Sequence, residues 1–136
     1  MTQPIHQHHL QIRVTYKETD GQRRVHHANY VNYFERGRVE MLRSIGIRYR
    51  DLEDQGRMLV VAEMNIQYHS AAQFDDLLDL ETSLMEVRKV RLRHNYRITR
   101  DGELVVTASS VIACVDAEGN LKRLPAFDFK GSSSGS

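Results

Sequence analysis

The chain has 136 residues and a mass of 15.8 kDa, which is the size of one domain that can bury a core without disulfides or a structural metal. Its 19 basic and 18 acidic residues give a formal net charge of +1, whereas nucleic-acid-binding domains usually carry a strong basic excess. The single cysteine, Cys114, excludes a disulfide framework and fits a reducing compartment. We therefore expect one globular domain that does not bind nucleic acid.

Both ends of the chain are expected to lie outside this domain. Residues 1–9 are polar and histidine-rich, lack the apolar core of a secretion signal, and predict a flexible leader. Residues 130–136 form a Gly/Ser tail that cannot pack, which leaves residues 10–129 for the fold. No apolar run reaches the length of a membrane span, so we expect no membrane span and a cytoplasmic protein.

The first part of the domain predicts one strand and one long helix. Apolar and polar residues alternate at first, which is typical of a strand with one buried face; the apolar ones are Leu10, Ile12, Val14 and Tyr16. After a polar segment, apolar or small residues recur every three or four positions, which predicts a helix. They are Tyr30, Tyr33, Phe34, Gly37, Met41 and Ile45. We expect Asn29 to cap this helix and Gly46 to end it, with a further helical turn at residues 51–55.

From Met58 onward the apolar residues recur at every second position, which predicts strands. The alternating segments cover residues 62–68, 78–84 and 92–98, followed by an apolar run over 104–115 and a short strand at 121–124. Asp101-Gly102 predicts a hairpin turn. No helical pattern separates these strands, which excludes parallel βαβ units. The sequence therefore predicts an α+β fold, with an antiparallel sheet of five to six strands packed on one long helix.

Asp20 is the first residue that could carry chemistry. A carboxylate in a polar loop can act as a general base on water or as a nucleophile on an activated carbonyl, or it can simply hydrogen-bond its own Asp20-Gly21 turn. The helix that begins within nine residues favours chemistry, because free N–H groups at a helix start stabilise an oxyanion. The candidate donors are the N–H groups of residues 27–30. The spacing permits an acyl-transfer site without requiring one.

Three further side chains fall near Asp20 in the sequence. His26 and His27 could orient water or polarise a carbonyl, or they could cap and pack at the helix start. For His26 the capping role is favoured, whereas for His27 both roles stay open. We expect Tyr16, at the end of the first strand, to be a core residue whose hydroxyl reaches the site.

The remaining polar clusters have ordinary structural explanations. Arg88, Lys89, Arg91 and Arg93 predict a solvated turn, with binding of a phosphate-rich ligand as the alternative. Cys114 lies in an apolar strand and is expected to pack rather than react. The sequence has no Gly-rich phosphate loop or paired-cysteine zinc spacing, and we expect no cofactor and no metal. We interpret the charges in the long helix as surface pairs; they are Glu35, Arg36, Arg38, Glu40 and Arg43.

These motifs together resemble the signature of hotdog-fold acyl-CoA thioesterases, and in particular the 4-hydroxybenzoyl-CoA thioesterase-like family with its Tol–Pal-associated group. The main matching segments are Tyr16-Lys-Glu-Thr-Asp20, Val25-His-His-Ala-Asn-Tyr30, Phe34-Glu-Arg-Gly-Arg38 and Glu40-Met-Leu-Arg43. Supporting matches lie at residues 59–61, Tyr68, 74–76, 114–116, Gly119 and 123–125. The resemblance covers residues 10–125, nearly the whole domain.

The resemblance implies a helix wrapped by an antiparallel sheet, dimers that share a continuous sheet, and active sites at the subunit interface. It implies that Asp20 is the catalytic carboxylate, that the backbone N–H at His27 polarises the thioester carbonyl, and that Tyr16 belongs to the site. On this basis the expected partner is an acyl-CoA substrate and the expected assembly a homodimer or homotetramer. The expected substrate-binding residues are His26, Ala28, Asn29, Tyr30, Arg88, Lys89 and Arg91.

Two segments depart from the family pattern. Gln22-Arg23-Arg24 occupies a stretch that usually contains one or two glycines, and Ala71 stands where proline is frequent. Side chains at residues 22–24 could narrow the pocket, shift Asp20 or add positive charge toward an anionic substrate. Three functions stay open at this point: hydrolysis of acyl-CoA thioesters, hydration or dehydration of enoyl or hydroxyacyl thioesters, and acyl-CoA binding without catalysis.

Overall fold

An antiparallel sheet and one long helix make up the part of the chain that the structure describes, residues 3–127 of a computed structural model. The sheet has the strand order β1-β3-β4-β5-β2, with every neighbouring pair antiparallel. The predicted α+β architecture is therefore confirmed. In chain order the elements are β1 (His6–Arg13), a short 3-10 helix (Tyr16–Glu18), α1 (His27–Ser44), α2 (Tyr49–Asp54), β2 (Met58–Tyr68), β3 (Leu77–Val87), β4 (Arg91–Arg100) and β5 (Glu103–Val115).

Helix α1 packs on the sheet through the stripe that the sequence predicts. Tyr33, Phe34 and Met41 are fully buried, and each such side chain stabilises the fold by about 1.5–3 kcal/mol. Gly37 lies where the helix comes closest to β3, since a Cβ atom there would lie 2.8 Å from a methyl carbon of Leu80. The absence of a side chain at residue 37 thus leaves room for the side chains of Leu80 and Thr82, which pack directly against the helix.

Strands β3 and β4 supply the opposite side of the core. Their alternating residues are buried as predicted; they are Leu78, Leu80, Thr82, Leu84, Leu92, His94, Tyr96 and Ile98. The hairpin that joins β4 to β5 turns at Asp101-Gly102, where φ is 50° and 82°. Two successive residues with positive φ are typical of a type I′ turn, so the predicted hairpin is also confirmed.

One helical charge is not on the surface. Arg38 is only 4% exposed, and its Nη1 donates a hydrogen bond to Tyr96 Oη at 2.9 Å. The Tyr96 hydroxyl is in turn 2.6 Å from Ser110 Oγ. The expectation of a surface pair is wrong for Arg38, because it follows Gly37 and faces the sheet at the point of closest approach. Burial, and then the charge of Arg38, lower the pKa of neighbouring His94 to about 3.

Three predicted boundaries are wrong. Strand β1 begins at His6 and pairs with β3, so residues 6–9 are not a flexible leader; strand pairing uses backbone groups and tolerates polar side chains. Residues 121–124 form one isolated bridge, Val115 with Leu121, instead of a sixth strand. Helix α1 is capped by His26 rather than Asn29. The predicted tail at 130–136 lies outside the described residues.

Within residues 3–127, no helix is both long and apolar enough to cross a membrane.

Candidate active site

The loop at residues 20–24 holds Asp20 through its own backbone. Asp20 Oδ1 accepts hydrogen bonds from the N–H groups of Gln22, at 2.8 Å, and Arg24, at 3.2 Å. The Gln22 N–H chiefly lowers the pKa of this carboxyl, and the N–H and charge of Arg24 add to the effect. Because both bonds use Oδ1, the ionised carboxylate keeps Oδ2 for a substrate or a water molecule.

Glu18 ties this loop to the start of α1. Its backbone carbonyl accepts hydrogen bonds from His26 N at 3.0 Å and Asn29 Nδ2 at 2.8 Å. Its carboxylate oxygen Oε1 accepts from Tyr33 Oη at 2.8 Å and Thr15 N at 2.9 Å. Sequence reasoning missed Glu18. The Thr15-x-x-Glu18 spacing, which is that of a capping box, could have indicated its role.

Two of the four candidate amides at the start of α1, those of Ala28 and Asn29, are engaged in hydrogen bonds. The Ala28 N–H donates to His26 Nδ1 at 3.2 Å, and the Asn29 N–H donates to the His26 carbonyl at 2.9 Å. The His27 N–H makes no hydrogen bond within residues 3–127. It is therefore the donor best able to meet a developing oxyanion, while His26 has the capping role that the sequence favours.

Aromatic rings form the wall beside this amide. The His27 imidazole stacks on Tyr68, with ring centroids 4.3 Å apart, and Tyr68 also contacts the edge of Tyr30 at 5.6 Å. Tyr30 is buried, and burial raises the pKa of its hydroxyl. Tyr30 therefore contributes a buried, uncharged side chain to the site. The stacking on Tyr68 fixes the position of the His27 ring.

An open cleft of about 540 Å³ joins these features. Its walls come from the loop bearing Asp20, from the first turn of α1 and from residues 68–71. This volume is typical of sites that bind small molecules. Asp20, whose carboxylate is ionised, and His27, whose N–H has no partner within residues 3–127, are thus among the residues that line one cleft.

Comparison with known proteins identifies the family. The sequence model of the Thioesterase-like superfamily matches residues 14–129. The chain belongs to this superfamily. It is 38% identical over 106 residues to the acyl-CoA thioesterase YbgC of Haemophilus influenzae, a match that covers 77% of this chain and 78% of that protein.

Solved structures agree with the family assignment. A probable thioesterase from Bartonella henselae superposes with a TM-score of 0.83 at 34% identity, covering 88% of this chain and 100% of that chain. The DHNA-CoA thioesterase from Staphylococcus aureus superposes with a TM-score of 0.84 at 26% identity, covering 95% and 89%. The resemblance to hotdog-fold thioesterases that the sequence motifs carry is therefore confirmed.

The cleft of this thioesterase-like chain brings together only part of the predicted site. Asp20, His26, His27 and Tyr30 all line it. Ala28 and Asn29 do not line it. The Asn29 side chain is instead bonded to the Glu18 carbonyl. Two lining residues that sequence reasoning missed, His69 and Ser70, directly follow the end of β2.

Tyr16 does not occupy the predicted position. It is 68% exposed, and its ring meets the edge of Phe74 with centroids 5.5 Å apart. The expectation of a core residue is wrong because β1 ends at Arg13 and the chain enters the 3-10 helix at Tyr16, which turns the side chain outward. Tyr16 is not among the residues that line the cleft.

The predicted substrate-binding residues Arg88, Lys89 and Arg91 do not line the cleft. Arg88 and Lys89 lie between β3 and β4, and Arg91 is the first residue of β4. Arg88 also pairs with Glu86 at 3.0 Å. Within one chain the cleft therefore does not bring these residues together with Asp20.

The two departures from the family pattern are both accommodated. Arg23 adopts a left-handed φ of 66°, which costs a non-glycine residue about 1–2 kcal/mol. Its guanidinium lies 5.5 Å from the centre of the Phe74 ring, a cation–π contact that offsets part of this cost. The Ala71 carbonyl accepts a hydrogen bond from Arg100 Nη1 at 2.8 Å, which fixes the backbone without proline.

Metal ligands do not cluster in this site. No group of three or more His, Cys, Asp or Glu side chains within residues 3–127 has the geometry to hold a metal ion. Cys114 is buried, and burial raises the pKa of its thiol.

Proposed function

We propose that this protein hydrolyses acyl-CoA thioesters to the free acid and CoA, with Asp20 as the catalytic carboxylate. The observation that carries the proposal is the cleft that Asp20 and His27 line together at the start of α1. The relatives named acyl-CoA thioesterase support CoA as the carrier of the acyl group.

The chemistry follows from where charge develops. The thioester carbonyl oxygen accepts a hydrogen bond from the His27 N–H while Asp20 Oδ2 takes a proton from an attacking water. A C–O bond forms, the tetrahedral oxyanion collapses, the C–S bond breaks, and the CoA thiolate leaves and is protonated. The same geometry serves direct attack by Oδ2. In that route the C–S bond breaks and the CoA thiolate leaves as a mixed anhydride of Asp20 forms, and water then cleaves the anhydride to release the acid and restore the carboxylate.

His27 and its neighbours would position the reacting groups. Stacking on Tyr68 at 4.3 Å holds His27, and the Glu18 carbonyl holds the backbone N–H of His26. We propose that the His27 imidazole assists by orienting water at the mouth of the cleft. His26 has Nδ1 occupied by the Ala28 N–H, so it contributes as a cap.

We propose further that two copies of the chain complete the site. Strand β2 lies at an edge of the sheet and pairs only with β5 within residues 3–127. Its exposed residues include Val60 and Val61, at 42% and 44% exposure, and an exposed apolar edge strand is a template for pairing with another chain. Antiparallel pairing of β2 with its copy would give the continuous sheet that the family resemblance implies, in a cytoplasmic dimer.

Analytical ultracentrifugation tests this assembly. The native protein should sediment with the mass of two chains or four, and Val60→Lys should shift it toward one chain because a lysine blocks edge pairing. A native protein that remains a single chain at micromolar concentration would contradict the proposal.

The hydrolase activity is tested with a panel of acyl-CoA esters, the native protein and Asp20→Asn. Removing the catalytic carboxylate should lower kcat/KM by about two to four orders of magnitude. Asp116→Asn is the matched control, because Asp116 also caps its own loop but does not line the cleft. Equal rates for Asp20→Asn and the native protein would remove Asp20 from the mechanism.

Crotonyl-CoA separates the hydrolase from the hydratase alternative. Release of free thiol indicates hydrolysis, whereas loss of the enoyl absorbance with the thioester intact indicates hydration. Calorimetric binding of the ester without either reaction would instead identify a non-catalytic binding protein.

A further inference from the structure

Arg24 is one of the residues that line the cleft, and it brings a positive charge to it. Within the described part of the chain its guanidinium makes no hydrogen bond and no ion pair. The backbone of Arg24 is held firmly: its N–H donates to Asp20 Oδ1, its carbonyl accepts from Asp20 N at 2.8 Å, and it forms a bridge with Gln73. The backbone of Arg24 is therefore fixed beside Asp20, while the donors of its guanidinium are available to a ligand.

The neighbouring arginine behaves differently. The Arg23 guanidinium packs over the Phe74 ring and does not line the cleft. The guanidinium that lines the cleft is therefore that of Arg24. Arg23 provides a control, because replacing either arginine by a neutral residue changes the net charge by the same amount.

The charges around the cleft indicate what Arg24 could bind. Asp20 is the only carboxylate among the described residues that line it, and an anionic acyl group would be repelled by Asp20 unless a cation stood nearby. The backbone of Arg24 is bonded to Asp20 through both its N–H and its carbonyl, and both residues line the cleft, so the two side chains start from neighbouring points beside the same cavity. The phosphates of CoA are separated from the reacting carbonyl by the long pantetheine arm, whereas a carboxylate on a short acyl group lies only a few bonds away.

We propose that Arg24 binds a carboxylate carried by the acyl group, so that CoA thioesters of short dicarboxylic acids are the preferred substrates. The inference rests on the proposed thioesterase function. A guanidinium matches a carboxylate with two parallel hydrogen bonds, and this pair neutralises the second charge of the substrate before Asp20 acts.

The test compares glutaryl-CoA with hexanoyl-CoA, which have acyl chains of similar length and differ in terminal charge. The ratio of their kcat/KM values should favour glutaryl-CoA in the native protein and fall by about tenfold to a hundredfold in Arg24→Gln, the range for a lost hydrogen bond to a charged group. Arg23→Gln should leave this ratio unchanged. Thermal unfolding of each variant verifies that it is folded.

Thioesters of N-acetylcysteamine distinguish an acyl carboxylate from a CoA phosphate, since they carry no phosphate. An Arg24-dependent ratio that persists with these esters supports the proposal. Equal losses for both CoA esters in Arg24→Gln, with none for the N-acetylcysteamine esters, would assign Arg24 to the CoA phosphates and overturn it. Hydrolysis of hexanoyl-CoA without an Arg24-dependent preference would overturn the inference and leave the thioesterase function standing, whereas absence of hydrolysis of every ester would overturn both.

Discussion

Two five-residue loops, at residues 20–24 and 116–120, share one backbone design in different surroundings. In each loop the first aspartate accepts through Oδ1 the N–H groups two and four residues later, at 2.8 and 3.2 Å for Asp20 and at 3.0 and 2.9 Å for Asp116. The fourth residue of each loop is left-handed, with φ of 66° at Arg23 and 87° at Gly119.

The surroundings of the two loops separate their roles. Hydrogen bonds from backbone N–H groups lower the pKa of both carboxyls, chiefly from Gln22 for Asp20 and from Asn120 for Asp116. Only Asp20 shares a cleft with the start of α1, while the other loop follows β5. Local hydrogen bonding thus sets the charge of the carboxylate, and its position relative to the helix decides whether that charge can act on a substrate.

The largest expected difference between the loops is in activity. Asp20→Ala should lower kcat/KM by about two to four orders of magnitude, whereas Asp116→Ala should leave it unchanged. Urea unfolding should show similar losses of stability for both variants, because each removes two hydrogen bonds from backbone N–H groups at equivalent positions of its loop. A loss of activity in Asp116→Ala, or its absence in Asp20→Ala, would break the comparison.

The second prediction concerns the loss of stability in acid, which should begin at a higher pH for the core residue His94 than for the two loop aspartates. His94 has a pKa of about 3 when folded and about 6.5 when unfolded, so the unfolded state binds an extra proton between these values. Stability should therefore fall by up to about 1.4 kcal/mol per pH unit as the pH drops from about 6.5 toward 3. The lowered pKa values of Asp20 and Asp116 add acid sensitivity only below about pH 4.

His94→Leu tests this assignment, since leucine has a similar volume and no proton to bind. When the free energy of unfolding is measured in urea from pH 4.5 to 7, its dependence on pH should largely disappear in this variant. The exposed His9 is the control, and His9→Gln should retain the slope. A slope that survives in His94→Leu would assign the acid sensitivity to other groups.

A third, smaller effect is expected at Glu18, which anchors the Asp20 loop to α1; the Asp116 loop has no corresponding contact with α1 among the described residues. Glu18→Ala leaves the hydroxyl of buried Tyr33 without its acceptor, which should cost about 1–3 kcal/mol in the free energy of unfolding. It should also lower kcat/KM, because Glu18 joins the loop to α1. A double-mutant cycle with Tyr33→Phe should give a coupling of about 0.5–3 kcal/mol; independent effects would argue against the anchor.

The smallest differences are expected at the left-handed residues. Gly119→Ala should destabilise the fold by about 1 kcal/mol, because a Cβ there meets no neighbour and only the backbone conformation is strained. Arg23→Gly should change stability by less than about 0.5 kcal/mol, since relief of strain and loss of the contact with Phe74 oppose each other. Chemical unfolding of both variants measures this contrast, and a loss above 1 kcal/mol in Arg23→Gly would show that the ring contact dominates.

The predictable parts of the fold were those with a buried face. The stripe of α1 and the alternation in β3 and β4 follow from burial of one side, so their periods are visible in the sequence. The start of β1 was missed because His6–Arg13 gains its place by backbone pairing with β3, which leaves no apolar signal in the histidines.

The site was predictable only where its parts are close in sequence. Asp20 and His27 are seven residues apart, and the turn before the helix brings them to one cleft. His69 and Ser70 reach it through the register of β2 on β5, which a single sequence does not reveal. Arg23 packs on Phe74 whereas Arg24 lines the cleft. This difference accompanies a left-handed φ at Arg23, which an arginine in the sequence does not indicate.

The absence of a side chain at Gly37 has a mechanical consequence for the reaction. Ten residues of α1 separate it from His27, a lever arm of about 15 Å at helical rise. A methyl group at residue 37 would collide with Leu80 and Thr82, and a tilt of only about 5° would displace the far end of such a lever by about 1.3 Å. Misplacement of that size can slow an enzyme about a hundredfold. If His27 holds the reactive carbonyl as we propose, the packing of Gly37 against β3 helps to set the position of that carbonyl.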